Sequence, residues 1–216
     1  MKKTVTLSLI AAAVLMAGCS DEKPSNSLFE KTINQYAKNQ GICLPLVLNV
    51  QNPRGNDSFT QVPIGTPEIK LAEKDRKGND INKTALKQLS ILEKEDFYEK
   101  SKETMPVAAN SDETVKVLVY KLTEKGEKQT RAKEKMPHFC IGHQEVNKIN
   151  WYTEPSPSNG MTVSRVSYEA KFVPEKWIGN LLKAGGNAKL PLDEVRVQTA
   201  TLVKTSDGWK DSRELR

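Results

Sequence analysis

The chain has 216 residues, 24.1 kDa, 33 Lys+Arg against 27 Asp+Glu, 37% hydrophobic residues and a mean hydropathy of −0.57. That length suits one or two small globular domains. Outside the first twenty residues no stretch approaches the roughly 20 apolar residues of a membrane-crossing helix, so nothing suggests a protein with several membrane-crossing helices.

In chain order, Lys2 and Lys3 form a positive start, an apolar run follows over 5–16, and Ala17-Gly18 place small residues before Cys19. This order reads as a secretory signal over 1–18, too short for a spanning helix and ended by residues a signal peptidase accepts. Leu15-Met16-Ala17-Gly18-Cys19 resembles the lipobox of bacterial lipoproteins, with Met16 where leucine is more usual. The resemblance implies that the Cys19 thiol is the site of lipid attachment and that acylated Cys19 becomes the first residue. Two or three acyl chains then anchor the protein durably. Ser20 rather than an aspartate after the cysteine implies, by the same resemblance, sorting to the outer membrane on its periplasmic side. The polar residues that follow, with Pro24, make 19–27 a flexible tether.

Losing residues 1–18 removes Lys2 and Lys3 and leaves 31 basic and 27 acidic side chains, a net charge of +4. With Cys19 acylated, Cys43 and Cys140 are the remaining thiols. An oxidising periplasm predicts a disulfide between them.

Ser27 is placed to cap a helix over 28–38 with Phe29, Ile33, Tyr36 and Ala37 on one stripe, stopped by Gly41. The apolar run 42–48, broken by Pro45, reads as an edge or bulged strand, and the Pro- and Gly-rich 51–67 as an irregular loop. Asn82 is a candidate cap for a helix to about Lys94, with Ala85, Leu86, Leu89 and Leu92 on its apolar face. A polar segment runs from Phe97 and Tyr98 to Asp112, Val115, Val117 and Val119 alternate as a strand, and Lys125-Gly126 turns the chain.

The leucine-rich helix end followed by Tyr120-Lys121-Leu122-Thr123-Glu124-Lys125-Gly126 resembles the end of a winged-helix domain, where such a segment enters the wing. The resemblance covers at most 28–135. Lys116, Lys121, Lys125, Lys128, Arg131, Lys133 and Lys135 give 116–135 a local charge of +4 against Glu124, Glu127 and Glu134. In a periplasmic protein such a patch points to an anionic surface or an acidic envelope partner, not to nucleic acid. A solvated charged hairpin is the simpler reading of the same residues.

Beyond residue 135 the pattern is strand-rich: one strand through Cys140, Val146, Ile149 and Trp151, a loop over 155–160, and an alternating strand over 161–172. A helix after Pro174 carries Trp177, Ile178, Leu181 and Leu182. The last strand, 194–204, sets Val195, Val197, Thr199, Thr201 and Val203 on one face, before a Ser206-Asp207-Gly208 turn and Trp209.

Chemistry-bearing patterns are few. His138 and His143 flank Cys140, and imidazole with thiolate suits zinc or copper, but a structural zinc site needs four ligands and a disulfide-bonded Cys140 is no thiolate. Surface histidines beside a disulfide are the reading, with no metal and no cofactor. Neither a nucleophile elbow nor a glycine-rich phosphate cradle is present. Glu93, Glu95, Asp96 and Glu99 form an acidic cluster of the kind a glycosidase pair would need, interleaved with lysines as in a solvated helix end. Trp151, Trp177, Trp209, Tyr152, Tyr168 and Phe172 are either a ligand groove or core.

The expectation is thus an α+β protein: a signal peptide (1–18), a tether (19–27), a helical, winged-helix-like part (28–135) and a twisted antiparallel sheet with one packed helix (136–216). Its expected role is non-enzymatic: a lipid-anchored binding or structural lipoprotein of the Gram-negative envelope, bound to the membrane by lipid and to an envelope protein or anionic surface. The alternative is an envelope hydrolase acting on glycan or peptide through the acidic cluster.

Overall fold

A computed structural model describes residues 23–53, 58–106, 112–133, 136–186 and 194–215; the expected signal and lipobox, Cys19 and Lys135 lie outside them. The first half contains α1 (Asn26–Gln40), β1 (Ile42–Leu44), β2 (Val47–Gln51), β3 (Phe59–Pro63), β4 (Glu68–Ala72), α2 (Lys83–Lys94), β5 (Tyr98–Pro106) and β6 (Thr114–Leu122). After these come α3 (Glu124–Lys128), β7 (Thr130–Lys133), β8 (Met136–Tyr152), β9 (Ser156–Ser158), β10 (Met161–Pro174) and α4 (Ile178–Ala184). β11 (Arg196–Thr205), β12 (Gly208–Asp211) and a 3-10 turn (Ser212–Leu215) complete the described chain. Among the described residues no helix is long and apolar enough to cross a membrane.

The fold is mixed α and β, organised by a curled antiparallel sheet in the order β1-β8-β10-β11-β12, with β7 added to β8 and β9 to β10. Curling follows from twist and from two bulges of β8: Ser167 and Tyr168 oppose Trp151 and Ile149, while Glu169 and Ala170 oppose Lys148 and Val146, so Asn150 and Asn147 are each extra. The sheet closes on α1. Phe29 of that helix meets Tyr152 of β8 and Trp209 of β12, with ring centroids 4.9 and 5.2 Å away and the rings edge-on. Ile33, Val166, Tyr168, Ala200 and Leu202 fill the same core.

A second core lies between α2, α4, the β2–β3 ribbon and the three-stranded sheet β4-β6-β5. Leu89 and Leu92 of α2 pack with Leu48, Ile69, Leu71, Tyr98, Leu118 and Tyr120. Phe97, Phe139 and Trp177 form an edge-to-face trio with centroids 5.3 to 5.7 Å apart. β8 serves both cores: Phe139 and Ile141 enter this one, Val146 and Ile149 the other.

The winged-helix expectation for 28–135 is not supported. α1 is followed mostly by strands, and β6, where a wing would begin, is the middle strand of a sheet with Val117 to Tyr120 buried. Lys125-Gly126 is not a turn but lies in α3, capped by Thr123, whose hydroxyl accepts the Gly126 N–H at 3.0 Å. The polar 98–106 segment is a strand because it pairs residue for residue with β6, although all but Tyr98 are exposed. Within 51–67, β3 forms a hairpin with β2. Strands on both sides of residue 135 share the large sheet, β1 and β7 pairing with β8.

Two capping expectations also shift. Ser25, not Ser27, caps α1, its hydroxyl accepting the Leu28 N–H at 3.2 Å. Asn82 precedes α2 at φ +59, a conformation asparagine tolerates, but its side chain does not cap. Its amide donates to the Gln51 and Ala72 carbonyls at 3.1 and 2.9 Å and accepts the Gln51 N–H at 2.7 Å, sewing the end of β2 to that of β4.

Candidate functional site

Cys43 and Cys140 face each other across β1 and β8 and form a disulfide between residues 97 apart in sequence. Cys140 is therefore no thiolate. His138 and His143 stand five residues apart on β8, opposite Arg131 and Val173, and among the described residues no three His, Cys, Asp or Glu side chains come together as a metal site.

The basic residues expected to form one patch are distributed over several elements. Lys116 and Lys121 lie on opposite faces of β6, since side chains alternate along a strand. Lys125 donates to the Glu95 carbonyl at 2.6 Å and stands over the Phe97 ring; Arg131 donates to the Lys128 and Asn39 carbonyls at 2.8 and 3.4 Å. Both tie elements together. Lys128 ends α3 and Lys133 ends β7.

The acidic group does not converge either. Glu93 lies 4.0 Å from Lys100, Glu95 and Asp96 end α2 on the surface, and Glu99 faces Lys121 across the β5–β6 ladder. The aromatic residues divide between cores: Trp177 is in one, Trp209 and Tyr168 are in the other, and Tyr152 and Phe172 pack against them. Trp151 stands on the outer face of the sheet, 52% exposed.

The structure offers a site that none of these patterns signalled. The last two turns of α1 stand off the inner face of the sheet and leave a cleft of about 180 Å³. Asn34, Tyr36 and Gln40 line it from the helix, Gln144 and Tyr168 from the sheet, and Arg213 from the C-terminal 3-10 turn. Arg213 is held from behind. Its Nε and Nη2 donate to Asp211 Oδ1 and Oδ2 at 2.8 and 2.6 Å, and Asp211 is fully buried. The guanidinium stacks on the Tyr36 ring, 4.2 Å from its centroid. The Asp211 hydrogen bond raises the Arg213 pKa further, so the cation is permanent. Tyr168 donates its hydroxyl to Gln198 Oε1 at 3.2 Å, and burial raises its pKa against the opposing effect of Arg213.

The cleft therefore presents a fixed guanidinium, two phenols and three amide side chains above apolar walls of Ile33, Ile42 and Val146. No protein-family model, no curated protein and no solved structure matches the chain. The described lining holds no carboxylate, histidine, cysteine or serine, the groups that general-base or nucleophilic catalysis draws on first. Its amides, phenols and guanidinium can make hydrogen bonds and stacking contacts. A second cavity of about 160 Å³ adjoins it, sharing Ile42 and Gln144 and adding Lys171, Glu194 and Arg196. Sequence reasoning missed Arg213 because an Asp-x-Arg spacing near a terminus signals nothing alone; the fold makes Asp211 buried and places Tyr36 beneath the guanidinium.

Proposed function

We propose that the protein is a lipid-anchored, non-catalytic binding protein of the Gram-negative envelope, attached through Cys19 to the inner leaflet of the outer membrane and facing the periplasm. The observation that carries this reading is the order of the first residues, Lys2-Lys3, an apolar run and Leu15-Met16-Ala17-Gly18-Cys19, placed six residues before the Ser25 cap of α1. Six residues extend at most about 20 Å, so the folded body stays close to the bilayer and its partner must be reachable there. The Cys43–Cys140 disulfide supports an oxidising compartment. The cleft around Arg213 supports binding as the activity, and the dispersal of Glu93, Glu95, Asp96 and Glu99 weighs against the hydrolase alternative.

Replacing Cys19 tests the anchor. In the Cys19→Ala protein the membrane-bound pool is expected to move to the soluble periplasmic fraction, and the acylated wild type to sediment with outer-membrane vesicles on a density gradient. Continued sedimentation of Cys19→Ala with membranes overturns the anchor, and a wild type found wholly with inner-membrane vesicles overturns the sorting.

A further inference from the structure

A strand edge presents unpaired backbone groups that recruit other chains, and proteins blunt such edges with charge, proline, bulges or brevity. Nearly every edge here is blunted. β5 carries Glu99, Lys100, Lys102, Glu103 and Pro106, and β4 carries Glu68 and Lys70. β3 belongs to a two-stranded ribbon and ends in Pro63; β1 has three residues, and β9 is Ser-Pro-Ser. Beyond its contact with β1, β8 holds Glu145, Lys148 and both bulges, and its Val146 N–H is taken by Asn34 of α1.

β2 is uncharged too, but it lies in the small ribbon and its Gln51 N–H is taken by Asn82, so β11 is the open uncharged edge of the large sheet. It pairs with β10 over nine consecutive residues without a bulge, but β12 covers only Leu202 to Thr205 of its other side. From Arg196 to Thr201, half of the N–H and C=O groups point away from β10, and among the described residues no backbone hydrogen bond meets them. Val-Gln-Thr-Ala-Thr over 197–201 contains no charge, proline or glycine. Its outward side chains, Val197, Thr199 and Thr201, are β-branched; Val197 is 69% exposed, and Val195 just before the strand is 51% exposed.

We infer that this edge pairs antiparallel with the same edge of a second copy, joining two curled sheets across a two-fold axis. The pairing is self-complementary. Antiparallel alignment sets the 196 end of one strand against the 201 end of the other, so Arg196 meets an uncharged residue, and it is already paired with Glu194 at 3.3 Å. The valine and threonine side chains oppose one another as β-branched cross-strand pairs, and on the order of six backbone hydrogen bonds form. An acidic or basic partner strand finds no complementary row of charge here, whereas the strand's own sequence does match itself. This inference does not depend on the lipid anchor or on the Arg213 cleft.

The test uses the full chain in mild detergent, with its mass followed by sedimentation equilibrium. Wild type is expected as a dimer below about 100 μM, and Val197→Lys with Thr201→Lys is expected to weaken dimerisation at least about tenfold by placing like charges across the axis. Both side chains are exposed, so at a dilution where wild type is itself monomeric the thermal midpoint of the doubly substituted chain should match that of wild type, which separates lost pairing from lost folding. Thr199→Cys, near the axis, should crosslink between copies on oxidation, while Lys148→Cys on β8 should not. A wild type monomeric at about 100 μM, a dimer indifferent to the two lysines, or a different protein found paired with this edge each overturns the inference.

Discussion

Arg213 and Asp211 are coupled by burial. Asp211 has no exposed surface, and its carboxylate is satisfied by the Arg213 backbone N–H at 3.0 Å and two guanidinium bonds. Arg213→Met removes two of those bonds and leaves a buried charge with one donor, which should cost about 2 to 3 kcal/mol in urea unfolding. Arg213→Lys should recover only part of this, because an ammonium cannot reproduce the paired geometry. A loss under about 0.5 kcal/mol for Arg213→Met would mean that the pair behaves as an exposed ion pair and is no scaffold for the cleft. Tyr98 makes a second residue-scale case. Its hydroxyl donates to the Thr66 carbonyl and accepts the Gly65 N–H at 3.1 and 2.8 Å, and burial pushes its pKa from 10 to about 12. Burial, with the carboxylates of Glu93 and Glu73, likewise raises Tyr120 to about 12. The folded protein thus holds these protons more tightly than the unfolded chain: the stability is fully present below pH 10 and is lost as pH rises to about 12. For Tyr98 the loss is about 2 to 3 kcal/mol, measurable as a falling urea midpoint. The fall should be shallower in Tyr98→Phe; an unchanged slope would show that Tyr98 ionises as freely in the folded state.

At the scale of elements, what was legible was whatever periodicity and burial decide together. α1 and α2 were found because Phe29 and Ile33, and Ala85, Leu89 and Leu92, repeat on a face that is truly buried. β10 is legible because twelve residues alternate, and the disulfide because the expected secretory leader predicts an oxidising compartment with two cysteines left to pair. β5 is not legible in the sequence because an edge strand exposed on both faces carries no alternation; its identity as a strand resides in the partner, β6. Of the expected face, Val195 just before β11 and Val197, Thr199 and Thr201 within it are exposed while Val203 is buried, and on the other side Ala200 and Leu202 turn inward to the core with α1. Short β-branched runs are ambiguous in this way because they suit either face of a sheet. The wing resemblance failed for a related reason: a seven-residue motif says that a hairpin starts, not how many strands flank it. The cleft could not be read at all, because Tyr36, Gln144, Tyr168 and Arg213 belong to four elements that only the curling of the sheet brings together.

For the whole molecule, the long β8 decides whether the two cores act as one. Its first half supplies Phe139 and Ile141 to the core around Trp177, and its second half supplies Val146 and Ile149 to the core around Trp209. One continuous strand cannot be lost from one core and kept intact in the other, so the two should unfold together. Trp177 and Trp209 report each core separately, at 4% and 6% exposure, once the exposed Trp151 is replaced by phenylalanine. Single-tryptophan versions on that background are expected to give coincident urea midpoints. The Cys43–Cys140 bridge ties β1, and through it α1, to the first half of β8, closing a loop of 97 residues. Loop-closure entropy for that length corresponds to about 4 to 5 kcal/mol, so reductant should lower both midpoints by the same amount. If reduction instead moved Trp209 alone, α1 with its side of the curled sheet would be a separate unit clipped on by the disulfide, and the Arg213 cleft would be sensitive to the redox state of the compartment.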